Sequence, residues 1–210
     1  MKKFRKHQLI NGSNSLEAFE QGFQRLDQLL VENGLSLNII VCGGYLIQRM
    51  GIRGTVDVDA FYIKNDKIEP LINQVGVELG LNTDYTTWLN RSVATMSDWP
   101  DKKFCERIYT FGNLTVDQVT AEYLLGMKLR STRPRDVTDS AILIERLNVS
   151  DPIELYNRLN TTSIDVGMSY ILTVFTEMKG TGWFRDYLKA HEKELMAIFD
   201  RDDIKGKRSM

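Results

Sequence analysis

The sequence predicts an α+β chain, a small sheet flanked by helices and followed by a helical C-terminal region. Three observations carry this. Up to about residue 118, short β-branched apolar runs bounded by glycine alternate with amphipathic segments. Every later segment reads helical. Between the first two strands, residues 41–62, VCGGYLIQRMGIRGTVDVDAFY, join a Gly-Gly pair to an Asp-x-Asp pair. A chain of 210 residues has room for an α/β core over 1–118 and a helical companion over 119–210.

The first element is a helix from Ser15 to about Glu32, where Leu16, Phe19, Phe23, Leu26 and Leu30 return at three- and four-residue steps. Asn14 followed by Glu17 resembles a capping box, and Gly34 supplies the stop. Leu35 to Cys42 contains Ile39-Ile40-Val41, short and β-branched as a buried strand should be. Gly43-Gly44 ends it. Tyr45 to Met50 reads as a short helix, Gly51 to Gly54 as a turn, and Thr55 to Ile63 as a second strand.

Residues 67–80 form another helix with Pro70 in its first turn, where its missing N–H costs nothing. From 82 to 103 the chain is polar and aromatic without a period, a long connection with room for one short helix. Arg107 to Phe111 and Asn113 to Val116 read as two short strands turning at Gly112-Asn113. Helices then follow over 120–131, 136–147, 151–160, 166–178 and 184–199.

Composition removes several classes of function. Lys plus Arg total 27 against 28 Asp plus Glu, and a net charge of −1 excludes coating nucleic acid by bulk electrostatics. Cys42 and Cys105 lack metal-ligand spacing and suit reduced thiols. No apolar run approaches the roughly 20 residues that span a bilayer. The basic N-terminus, MKKFRKHQLINGSN, lacks the apolar core of a signal peptide, so a cytoplasmic protein without membrane contact is expected. His7 and His191 lie in charged segments and read as surface residues.

Val56, Val58 and Ala60 alternate with Asp57, Asp59 and Phe61, so strand geometry sends both acids to one face. Two carboxylates so close repel, and a divalent cation relieves the repulsion. A Gly-Gly at a strand-to-helix junction lets backbone amides approach an anion. Together with Arg53-Gly54-Thr55, these residues resemble the signature of the DNA polymerase beta-like nucleotidyltransferase superfamily. The resemblance extends to Glu122–Leu129 and to Arg133-Pro134-Arg135-Asp136-Val137-Thr138-Asp139, which look like a second block of one branch. That branch holds small uncharacterised nucleotidyltransferase-like proteins and the toxins of abortive-infection and type IV toxin-antitoxin systems. Trp88-Leu89-Asn90 is also similar to a segment of the uncharacterised members.

The resemblance implies a nucleotidyltransferase-like small mixed sheet and a Mg²⁺-dependent transfer of a nucleoside monophosphate from a nucleoside triphosphate to a hydroxyl. RNA, protein and a small molecule are the acceptor classes. It makes Asp57 and Asp59 metal ligands, for Mg²⁺ or in its place Mn²⁺. Gly43, Gly44, Arg53 and Thr55 become nucleotide-binding residues. Lys128, counted with the two acids as catalytic, supplies a point charge to the phosphates, with Asp136 beside it and the helical region completing the site. For a toxin, an antitoxin-like protein partner is implied. Active members add a third carboxylate on a following strand, for which Glu106 and Asp117 are the candidates. Without it, nucleotide binding without transfer is the alternative. A module that only docks proteins is the other, through apolar faces such as Ile153, Leu155, Tyr156 and Leu159.

Overall fold

In a computed structural model of the chain, residues 13–131, 133–162 and 164–208 are described. The basic N-terminal segment up to residue 12, His7 included, lies outside them. Helix α1 spans Leu16–Glu32 and buries Phe19, Phe23, Leu26 and Leu30, the stripe that its periodicity marks. Its cap is Ser15, whose Oγ accepts from the Ala18 amide at 3.1 Å, and not Asn14. Asn14 is drawn away by the chain ahead of the second strand. It forms a bridge with Thr55, and its Nδ2 donates to the Val56 and Leu81 carbonyls at 3.0 and 3.1 Å.

Among the described residues, five strands form an open mixed sheet: β1 Leu37–Cys42, β2 Val58–Phe61, β3 Leu89–Asn90, β4 Cys105–Thr110 and β5 Leu114–Val119. The order is β3-β2-β1-β5-β4, with β1 central. β1 runs antiparallel to β2 and parallel to β5, β2 is parallel to β3, and β4–β5 is an antiparallel hairpin. Ile39, Val41, Val58, Ala60 and Val116 share one face and are all buried. Phe23, central in this core, packs on Tyr45 at 5.9 Å and Trp88 at 5.4 Å between ring centroids.

Helix α2, Gly43–Arg49, starts at the first glycine of the pair, two residues before its predicted start. The strand expected over Thr55–Ile63 contracts to Val58–Phe61. Thr55 is held instead by Asn14 and by Gln48, whose Oε1 accepts the Thr55 amide at 3.0 Å. Asp57 therefore sits in the bend just before β2, and the two acids do not share a strand. Helix α3 spans Glu69–Glu78 with Pro70 in its first turn. The connection after it contains β3, the short helix α4 Val93–Met96 and a 3₁₀ turn at Lys102–Phe104. The β4–β5 turn is fixed by Asp27 of α1, whose carboxylate accepts the amides of Gly112, Asn113 and Leu114 at 3.2, 2.6 and 2.8 Å.

Contacts divide the described residues into two units, one ending at Thr120 and the other starting at Ala121. The second contains α5 Ala121–Ser131, α6 Pro134–Arg146, α7 Pro152–Leu159, α8 Met168–Lys179, α9 Thr181–Ala190 and α10 Glu192–Arg208. The single helix expected over 184–199 is two, parted at His191, whose ring stacks on Tyr187 with centroids 4.3 Å apart. Ile153, Leu155, Tyr156 and Leu159, an apolar face that the sequence leaves open to a partner, are buried. Asp202 of α10 accepts from the Tyr156 hydroxyl at 2.6 Å and the Met168 amide at 2.9 Å. Among the described residues, no helix is long and apolar enough to cross a membrane.

Candidate functional site

β1 delivers the chain into Gly43 with φ of +63°, a conformation that glycine adopts without a Cβ penalty. A Cβ on Gly43 would collide with Asp59 Oδ2 and stand 3.0 Å from its Cγ. The absence of a side chain is thus what lets the Asp59 carboxylate lie against the turn. The register agrees, since Asp59 is the partner of Cys42, the residue before the turn. Gly44 is used in the same way: a Cβ there would come to 2.5 Å from Thr55 Oγ1. Arg53 directs Nη1 to the Gly54 carbonyl at 3.1 Å. Of the predicted residues of the first block, Gly43, Gly44, Thr55 and Asp59 come together at one turn, while Arg53 and Asp57 lie on the chain that leads from it into β2.

Asp57 is half-buried and accepts two side-chain hydrogen bonds on Oδ2, from Asn90 Nδ2 at 3.3 Å and Thr86 Oγ1 at 3.4 Å. These donors come from the connection without a period, and their site role is not legible in the sequence. Tertiary contacts put them there. Trp88 is fully buried and donates its indole N–H to the Ile72 carbonyl of α3 at 2.9 Å, while its amide donates to Asn82 Oδ1 at 3.0 Å. Its carbonyl accepts the Val58 amide at 2.7 Å, opening the β2–β3 pairing that sets Asn90 beside Asp59. The only advance signal was the likeness of Trp88-Leu89-Asn90 to a family segment.

The candidates for a third acid fall elsewhere. Glu106 pairs in register with Gln118, which places it on the sheet face opposite to Asp59. Asp117 shares the Asp59 face but lies beyond β1, level with Ile40 and not with Cys42, and it is ion-paired with Arg107. Continuing the β1–β5 register puts apolar Val119 level with Cys42. Among the described residues, no three His, Cys, Asp or Glu side chains converge as a metal-ligating group. Two carboxylates suffice for Mg²⁺, which is held by one or two of them together with substrate phosphates. Asp57 and Asp59 fit that donor set. Cysteine chemistry does not fit: Cys42 is fully buried, and burial, with Asp117 and Asp101 nearby, pushes the Cys105 thiol up, away from thiolate.

In the helical unit, Lys128 of α5 is buried between two carboxylates of α6, with Nζ 2.6 Å from Asp136 Oδ1 and 3.1 Å from Asp139 Oδ2. Asp136 also accepts from Ser131 Oγ at 2.5 Å and Arg133 Nε at 2.8 Å. Burial pushes the Asp136 carboxyl up, but Lys128, Ser131 and Arg133 outweigh it and hold it below the ordinary carboxylate value. The lysine, predicted as a point charge for phosphates, has its charge met by these two acids. No family model, curated protein or solved structure matches the chain. What fold and site define together is the class: an α+β chain whose described residues form an open five-stranded mixed sheet, with Asp59 against a glycine turn and Asp57 two residues before Asp59.

Proposed function

We propose that the chain is a Mg²⁺-dependent nucleotidyltransferase that moves a nucleoside monophosphate from a nucleoside triphosphate to a hydroxyl on RNA, protein or a small molecule. The observation that carries this reading is the apposition of the Asp59 carboxylate to the Gly43 backbone, with Asp57 two residues away. A phosphate-approaching turn and a metal-holding acid pair serve one reaction only when they adjoin. Asp57 and Asp59 would hold Mg²⁺, and the amides from Gly43 onward would take the terminal phosphates. Bound there, the metal supplies neutralisation of the charge that develops on the phosphates during in-line displacement. The acceptor oxygen forms a bond to the α-phosphorus, the α–β anhydride breaks, and pyrophosphate leaves as the hydroxyl proton passes to solvent. The resemblance to the toxin branch supports a cytoplasmic role with an antitoxin-like protein partner.

The test is incubation of the chain with labelled nucleoside triphosphates, Mg²⁺ and total cell extract. An acceptor gains label, and Asp57→Ala abolishes it; label retained in that variant sinks the mechanism. A second reading, nucleotide binding without transfer, is favoured by two observations: Glu106 is on the opposite face and Asp117 is tied to Arg107. Calorimetry that shows metal-dependent nucleotide affinity, with no label transferred, selects it.

A further inference from the structure

Asp59 has a neighbouring strand on each side. Toward β1 it meets Cys42 in register, with Val119 level beyond. Toward β3 it meets Asn90, its register partner. Asn90 is thus the one cross-strand neighbour of Asp59 that also contacts Asp57. The orientation of its carboxamide is fixed by chemistry. Ser92 donates to Asn90 Oδ1 from its backbone amide at 2.9 Å and from its hydroxyl at 2.7 Å. A backbone N–H can only donate, so the carbonyl end faces Ser92 and the NH₂ end faces Asp57. Thr86 adds less, because its single hydroxyl proton is shared between Asp57 at 3.4 Å and the Thr87 carbonyl at 3.1 Å.

From this geometry, and resting on the nucleotidyltransferase reading above, we infer that Asn90 is a positioning residue for Asp57. It holds Oδ2 with a donor, leaves Oδ1 to a cation, and is itself an uncharged neighbour of both acids. A site built on two negative charges takes a divalent cation weakly by itself and firmly only with nucleotide phosphates, because affinity for hard cations follows the number of charged oxygen ligands. A neutral donor at this place also cannot take a proton from an acceptor hydroxyl.

The experiment is titration of the full chain with Mn²⁺ alone, following free Mn²⁺ by its paramagnetic resonance signal, with no reliance on activity. Asn90→Asp puts a third carboxylate beside the pair and is expected to tighten Mn²⁺ binding by roughly tenfold or more. Asn90→Ala releases Asp57 and is expected to loosen binding by roughly tenfold while the circular dichroism spectrum is kept, as for partners that orient a ligand. A residue with only a structural role gives no gain in the Asp variant. If Asn90→Asp binds Mn²⁺ no tighter than the wild type, while Asp57→Asn and Asp59→Asn still abolish binding, the inference falls and the metal site stands. If Asp57→Asn and Asp59→Asn leave Mn²⁺ binding unchanged, the metal site and the inference fall together.

Discussion

The carboxylate of Asp59 rests against the Cα of Gly43, in a space that exists only because residue 43 has no side chain. Gly43→Ala therefore carries two costs, a left-handed backbone at φ +63° and a collision with Asp59. Gly34 isolates the first, because it has the same φ of +63° with nothing near the place of a Cβ. Urea unfolding should show Gly34→Ala losing about 1 kcal/mol, the ordinary cost of a left-handed alanine. Gly43→Ala should lose at least about 1 kcal/mol more, as overpacked sites do. Equal losses at the two positions would show that Asp59 does not press on the turn.

Lys128 is enclosed by Asp136 and Asp139, so removing it takes the ammonium away from two buried carboxylates. Lys128→Met is expected to cost about 3–5 kcal/mol, the usual result of breaking a buried ion group from one side. The triple variant Lys128→Met/Asp136→Asn/Asp139→Asn, which discharges the group as a whole, should recover most of that loss. Chemical denaturation of the two variants checks this. A single variant within about 0.5 kcal/mol of wild type, as for ordinary surface sites, rejects the pairing as a stabilising element.

The same cluster gives a pH dependence of known sign. Asp136 has a carboxyl value held below the ordinary one, so the folded chain binds that proton less readily than the unfolded chain. Its contribution is fully present above the unfolded value of about 3.9 and is lost as pH falls through the lower folded value. The stability difference between wild type and Asp136→Asn should be flat from neutrality down to about pH 5 and shrink below about pH 4. A difference that grows on acidification would reverse the assignment.

What could be read in advance divides along physical lines. α1 and β1 were legible because their burial is a local pattern, Phe19-Phe23-Leu26-Leu30 in one and Ile39-Ile40-Val41 in the other. The acid pair was legible as residue types, but its geometry was not. Alternation predicts a strand through Thr55, whereas Asn14 and Gln48 take the hydrogen bonds that a strand would need. β3 was invisible, because two residues make no period and it exists through Trp88, anchored on α3. Thr86 carries no sequence signal for the same reason, and Asn90 shows only through the likeness of Trp88-Leu89-Asn90 to a family segment. The split at His191 was missed because polar residues on both sides continue a helical pattern. Glu106 and Asp117 flank short strands in the sequence, but register, which decides the face each one takes, is not written there.

Asp27 supplies a last test, on a contact that periodicity assigns merely to the polar side of α1. Its carboxylate accepts three consecutive backbone amides at the β4–β5 turn, from Gly112 to Leu114. Asn113 adds to the same corner, its Nδ2 reaching the Leu35 carbonyl at 2.7 Å and its own carbonyl accepting the Leu37 amide at 2.9 Å. The turn therefore sets where β5 meets β1. Asp27→Ala leaves the amides of Asn113 and Leu114 without a charged acceptor and is expected to cost about 1.5–3 kcal/mol, the value of a hydrogen bond to a charged group. Asp27→Asn retains one acceptor oxygen and should lose less. Hydrogen exchange localises the effect: in Asp27→Ala the amides of residues 112–114 should lose protection before those of α3 do. Uniform loss of protection across the sheet, with no lead at the turn, would show that Asp27 acts through α1 packing and not through the hairpin.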